Sequence, residues 1–67
     1  MAKNKEFLKL LIDKDISRPR LAEKLGVTEQ TVYYWIIGRN LPSMKYVIHM
    51  AKIFKVSIVS LWEMFNK

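Results

Sequence analysis

Residues 18–37 read RPRLAEKLGVTEQTVYYWII, and the fold can be inferred from this segment. Ala22 is small enough for a second helix to lie against its backbone, and Gly26 can adopt the left-handed conformation that ends a helix abruptly. Thr28 follows where its hydroxyl can cap the next helix. We therefore expect two short helices that meet at a tight corner. Apolar side chains at helical spacing fill the angle between them: Leu21, Leu25, Val27, Val32 and Trp35.

The rest of the chain has the same helical spacing. Helix start and stop signals recur at short intervals, at Ser17 with Pro19, Gly26, Gly38, Pro42 with Ser43, and Ser57. They divide the chain into about five short helices and favour an all-α fold. Four side chains are placed to cap helix starts: Ser17, Thr28, Ser43 and Ser57. The first, fourth and fifth segments each offer one apolar face: Phe7, Leu8, Leu11 and Ile12; Met44, Val47, Ile48, Ala51 and Phe54; Ile58, Leu61, Trp62 and Phe65.

Length and composition favour one small globular domain over residues 1–67, with 51% hydrophobic and 27% charged residues. Cysteine is absent, which excludes disulfides and thiolate chemistry and suits a reducing cytoplasm. The basic start, Met1–Lys5, is followed by an apolar stretch that Lys9 interrupts, so it does not read as a signal peptide. The longest apolar run, residues 32–37, is too short to cross a bilayer. We expect a cytoplasmic protein with no membrane partner.

The charge points to a polyanionic partner. Twelve Lys and Arg against six Asp and Glu give a formal net charge of +6. Phosphate backbones attract such charge, whereas an acidic lipid surface requires an amphipathic basic helix, which is not evident. Charge alone is a weak signal, because many small domains are basic for solubility.

The outer face of the second helix of the corner is free to enter a DNA major groove. Helical phase directs four side chains away from the core: Glu29, Gln30, Tyr33 and Tyr34. Gln30 can pair bidentately with adenine, although a solvated surface glutamine is the alternative. Glu29 can accept a hydrogen bond from cytosine N4 but repels phosphates, so it should contribute more to base specificity than to affinity. A helix cannot bury two adjacent tyrosines equally, and Tyr34 suits the outward position better than Tyr33.

Basic and polar residues after this helix can hold a DNA backbone. Arg39, Asn40 and Lys45 flank the start of the next helix, where they fix position while carrying little sequence information. A solvated basic loop is the alternative interpretation.

Several short motifs lie at a particular spacing: LAEKLGVT at 21–28, Trp35 followed by Gly38-Arg39, Leu41-Pro42-Ser43, Ala51-Lys52 and Val56-Ser57. Together they make residues 17–62 resemble the phage repressor and Cro family of helix-turn-helix proteins, also called the xenobiotic-response-element type. The resemblance implies a compact five-helix, lambda-repressor-like fold with its helix-turn-helix at about 18–37. It also implies a transcriptional regulator that binds palindromic operators in duplex DNA as a dimer, and hence a bacterial or phage protein. Thr28 is then expected among the phosphate contacts.

Three positions depart from the family pattern. Arg18 stands where the family often has glutamine, which should preserve phosphate binding but shift it toward charge. Ile36 replaces a usual glutamate. Lys55 replaces a usual glycine, where a left-handed conformation costs roughly 1 kcal/mol or more.

The fifth segment carries more apolar surface than one face of a short helix can bury. If this helix covers the core of its own domain, that role explains Ile58, Leu61 and Trp62. The remaining apolar surface suggests a homodimer. The expected dimer interface comprises Val59, Trp62, Met64 and Phe65.

Other function classes have little support. His49 is the lone histidine, so metal binding is improbable, and no catalytic constellation or glycine-rich phosphate loop is found. We expect no enzyme activity, cofactor or small-molecule ligand. One rival is a protein-interaction module, such as an antirepressor or adaptor. RNA is a second rival, disfavoured because side chains cannot enter its deep, narrow major groove.

Overall fold

The computed structural model describes residues 4–66, in which the chain forms five α-helices and no strand. They are α1 (Lys5–Asp13), α2 (Arg18–Leu25), α3 (Glu29–Ile37), α4 (Met44–Phe54) and α5 (Ile58–Phe65). The body is nearly isometric, measuring 24 × 23 × 22 Å along its principal axes. The expected all-α, five-helix fold is therefore confirmed. None of the helices described is long and apolar enough to cross a membrane.

Side-chain caps begin most of these helices. The hydroxyls of Ser17, Thr28 and Ser57 each accept a hydrogen bond from a backbone amide three residues later, at 3.3, 3.2 and 3.0 Å. Ser43 is the N-cap residue of α4 as predicted, but its side chain makes no cap hydrogen bond, although its backbone is extended as at Ser17, Thr28 and Ser57. Asn4 caps α1 by accepting from the Phe7 amide at 3.0 Å, which the sequence analysis did not anticipate.

Left-handed residues end three of the helices. Gly26 (φ 73°) and Gly38 (φ 78°) follow α2 and α3, and both tolerate this region without steric cost. Lys55 ends α4 at φ 59°, ψ 45°, so the left-handed conformation is retained without the family's glycine.

The core is apolar and draws on all five helices. Its fully buried side chains include Phe7, Leu21, Val32, Val47 and Leu61. The ring of Phe7 packs edge-on against Phe54, with ring centroids 6.4 Å apart. A second neighbour of Phe7 is Phe65, whose centroid lies at 4.9 Å.

Several expected core residues lie outside. Ile12 is 69% exposed, because α1 turns Phe7, Leu10 and Leu11 inward and Ile12 lies beyond the edge of that face. In α4 the buried face runs through Val47, Met50, Ala51 and Phe54, which leaves Met44 and Ile48 on the surface. In α5, Ile58 is likewise exposed.

One expected interface residue is also misplaced. Phe65 is only 6% exposed because it packs against Phe7, so its assignment to a dimer interface was wrong. The other three expected interface residues retain exposed surface: Val59, Trp62 and Met64.

Candidate nucleic-acid interface

The corner between α2 and α3 has the predicted construction. Ala22 is 4% exposed, and its carbonyl accepts the Val27 amide at 3.0 Å, which folds the turn back onto α2. Gly26 occupies the left-handed position between them. The expected plugging residues are buried, except Val27, which is half-buried against the core. This packing holds α3 at a set angle to α2 with its opposite face outward.

The outer face of α3 carries the expected polar residues. Glu29 and Gln30 are exposed in its first turn. Tyr33 is 41% exposed, whereas Tyr34 is half-buried. At least one tyrosine faces outward as expected, but the preference for Tyr34 as the more outward of the two was wrong. Tyr34 turns toward the loop after α3, where Arg39 covers its ring.

Arg18 connects the start of α2 to this face. Its guanidinium lies 3.7 Å from the Glu29 carboxylate and 5.4 Å from the centre of the Tyr33 ring. Both charged side chains are about half exposed, so the ion pair adds at most about 1 kcal/mol to stability. The ion pair mainly positions the Arg18 side chain beside α3 and offsets the negative charge of Glu29 there. Four residues line one shallow concavity here: Arg18, Glu29, Gln30 and Tyr33.

A second group joins α3 to the loop that follows it. The side-chain amide of Gln30 donates to the Tyr34 hydroxyl at 2.6 Å, and the Arg39 guanidinium lies 4.8 Å from the centre of the Tyr34 ring. The Tyr34 carbonyl accepts the amides of Arg39 and Asn40 at 2.9 and 3.3 Å. The sequence contained the signal for the first contact, because residues four apart meet on a helix.

The remaining expected phosphate contacts are exposed but lie apart from these groups. Thr28 is occupied in capping α3, and its hydroxyl also shares a hydrogen bond with Thr31 at 2.9 Å. Lys45, in the first turn of α4, lies 5.6 Å from the centre of the Tyr46 ring. Tyr46 packs in turn against Trp35, with centroids 5.7 Å apart. No role for Tyr46 could be predicted from the sequence, since its contact with α3 depends on tertiary packing.

Clusters of metal-binding side chains were searched for among residues 4–66. No group of three or more His, Asp or Glu side chains clusters there as metal ligands would. His49 lies exposed on α4.

Comparison with known proteins identifies the same helix-turn-helix. A family model described as helix-turn-helix matches residues 8–61, a range that contains α2, α3 and α4 entire. Comparisons with curated proteins and with solved structures give no match. The family consists of DNA-binding transcription regulators, in keeping with the exposed outer face of α3. The chain belongs to the phage repressor and Cro-like helix-turn-helix family.

Proposed function

We propose that this protein binds a palindromic operator as a homodimer and represses transcription by occluding it. Each subunit places α3 in a major groove, and the two grooves are successive, about 34 Å apart along the duplex. The observation that carries the proposal is the outer face of α3, where polar side chains are exposed between Arg18 and Arg39. Both guanidinium groups are exposed and can contact phosphates. Such a face combines base discrimination with backbone attraction.

Four residues of α3 form the proposed base-contacting set: Glu29, Gln30, Tyr33 and Tyr34. Gln30 offers an amide for the adenine edge, and Glu29 accepts from cytosine N4. Tyr33, which is exposed beside Arg18, offers its ring to a thymine methyl. Because Glu29 repels phosphates, its pairing with Arg18 keeps the entering face from being net negative.

Five residues form the proposed backbone-contacting set: Arg18, Thr28, Arg39, Asn40 and Lys45. They are exposed at the start of α2, the start of α3, the loop after α3 and the first turn of α4. Backbone contacts would therefore lie on both sides of α3, and such contacts determine the position of a helix in a groove.

The proposed dimer forms through α5. Val59 is 67% exposed, and Trp62 and Met64 are partly exposed on the same short helix. An isologous contact would bury this surface twice, once from each subunit. Two-fold symmetry of the protein then matches two-fold symmetry of the operator.

Selection from a random duplex library tests the proposal directly. We expect an enriched site with inverted half-sites, bound about 1,000-fold or more tighter than random DNA. In a salt titration, log affinity should fall linearly with log salt, by roughly 0.9 for each phosphate contact. Failure to enrich any duplex would contradict the proposal. Salt-independent association with a folded protein would favour the protein-interaction alternative, and preference for RNA over duplex in competition would favour the RNA alternative.

A further inference from the structure

Gln30 is an exposed side chain whose position is nonetheless specified. Its Nε2 donates to the Tyr34 hydroxyl at 2.6 Å, one helical turn farther along α3. An exposed glutamine without such a contact samples several rotamers, and binding must then order it. That ordering weakens binding by about 2- to 10-fold for a rotamer-rich side chain. The hydrogen bond removes part of this cost before DNA arrives.

Tyr34 can serve as a fixed point because it is itself held from two directions. Its backbone carbonyl accepts the amides of Arg39 and Asn40, which ties the residue to the loop after α3. The Arg39 guanidinium covers its ring at 4.8 Å. The ring is half-buried, so its rotation is also restricted by packing.

The hydrogen bond leaves Gln30 the groups that a base contact needs. A glutamine amide has two N–H donors and one carbonyl acceptor. One N–H is taken by Tyr34, which leaves the second N–H and Oε1 free. These are the donor and acceptor that pair with N7 and N6 of adenine.

We propose that Tyr34 is a positioning residue for operator specificity: its hydroxyl orients the Gln30 amide toward its base. This inference rests on the proposed function and refines one of its assignments, because Tyr34 then acts through Gln30 and does not itself read a base. The role differs from direct base reading, in which Tyr34 would contribute preference independently of Gln30.

A double-mutant cycle separates the two roles. The selected operator and its single base-pair variants are bound to wild type, Tyr34→Phe, Gln30→Ala and the double variant. The position read by Gln30 is the one at which Gln30→Ala relaxes preference. We expect Tyr34→Phe to lower preference there by about 2- to 10-fold. It should cause no further loss in the Gln30→Ala background and leave the salt slope unchanged, because the ring under Arg39 is kept.

Tyr33→Phe is the matched control. It removes the same hydroxyl from the adjacent residue, which has no hydrogen bond to Gln30 among residues 4–66. Its effect should add to that of Gln30→Ala. Thermal melts of each variant confirm that the fold is retained.

The free protein offers a readout that needs no DNA. The side-chain amide protons of Gln30 should shift in the NMR spectrum of Tyr34→Phe and stay in place in Tyr33→Phe. Unchanged Gln30 signals in Tyr34→Phe, or additive losses of preference, would overturn the inference and leave the proposed function standing. Absence of any selected operator would overturn both.

Discussion

Single residues on either side of Tyr34 should have separable effects on DNA binding. We predict that Gln30→Ala relaxes preference at one base position, at a cost of about 1–3 kcal/mol for the preferred base. Arg39→Ala should weaken binding to all sequences alike and reduce the salt slope by about one, because it removes a phosphate contact. Titrations of operator, point-variant operator and random duplex at several salt concentrations measure both effects. The converse pattern would exchange the two assigned roles.

Lys55 has a left-handed backbone conformation, which strains a residue that carries a Cβ. At φ 59° a residue with a Cβ costs roughly 1–2 kcal/mol, whereas glycine is unstrained but loses more entropy on folding. We therefore predict that Lys55→Gly stabilises the protein by up to about 1 kcal/mol in urea unfolding. The matched control is Lys52→Gly, which removes the same charge from a helical position and should destabilise by about 0.5–1 kcal/mol. Destabilisation by both substitutions would show that strain at Lys55 is negligible.

Residue orientation on α3 was the part of the site that the sequence predicted least well. Residues 32–37 are apolar or aromatic at every position, so periodicity alone does not define which side faces inward. Packing against α1 and α2 decides it, and the result exposes Tyr33 more than Tyr34. Glu29 and Gln30 were placed correctly, because their polarity in the first turn leaves only the outer face.

Helices as elements depend on their caps to different degrees. Ser57 accepts the Ser60 amide at 3.0 Å at the start of α5, whereas Ser43 makes no side-chain cap bond at the start of α4. We predict that Ser57→Ala destabilises by about 1 kcal/mol, the usual value of a lost N-cap, and that Ser43→Ala has little effect. Denaturant unfolding of the two variants under identical conditions makes the comparison. Equal losses would mean that Ser43 caps α4 in solution.

The α2–α3 corner was predictable as an element because its determinants are local. Ala22 and Gly26 specify a close approach and a left-handed turn within a few residues of each other, and both were found as expected. The α4 face was predicted less well, since Val47 and Ile48 are equally apolar neighbours and only the position of the other helices selects between them.

Contacts between residues far apart in the sequence join α1 to α5 and α3, and the local sequence does not predict them. Asn4 donates its side-chain amide to the Met64 carbonyl at 3.0 Å, 60 residues away, and its backbone amide to the Ile36 carbonyl at 3.0 Å. Phe65 packs on Phe7 beside them. These contacts draw the end of α5 into the core, and they explain why Phe65, which was expected at the dimer interface, is buried.

Assembly of two molecules through α5 can be tested at Val59. Val59 is the most exposed of the proposed interface residues, at 67%, so Val59→Glu should leave the core intact. A carboxylate buried in a two-fold interface occurs twice, and at about 1 kcal/mol or more per copy the dimer dissociation constant should rise at least about 30-fold. Sedimentation equilibrium measures this constant. Binding to the full operator should weaken in parallel, while binding to an isolated half-site should weaken only slightly, through the added negative charge.

Ile12→Glu provides the control for that experiment, because Ile12 is similarly exposed, at 69%, but lies on α1. Both substitutions lower the formal net charge of the chain by one unit, so general repulsion from DNA affects them equally. A loss of dimer in Val59→Glu alone therefore locates the contact on α5. Equal losses of operator affinity in the two variants, with sedimentation unchanged, would instead trace the effect to net charge and argue against an α5 dimer.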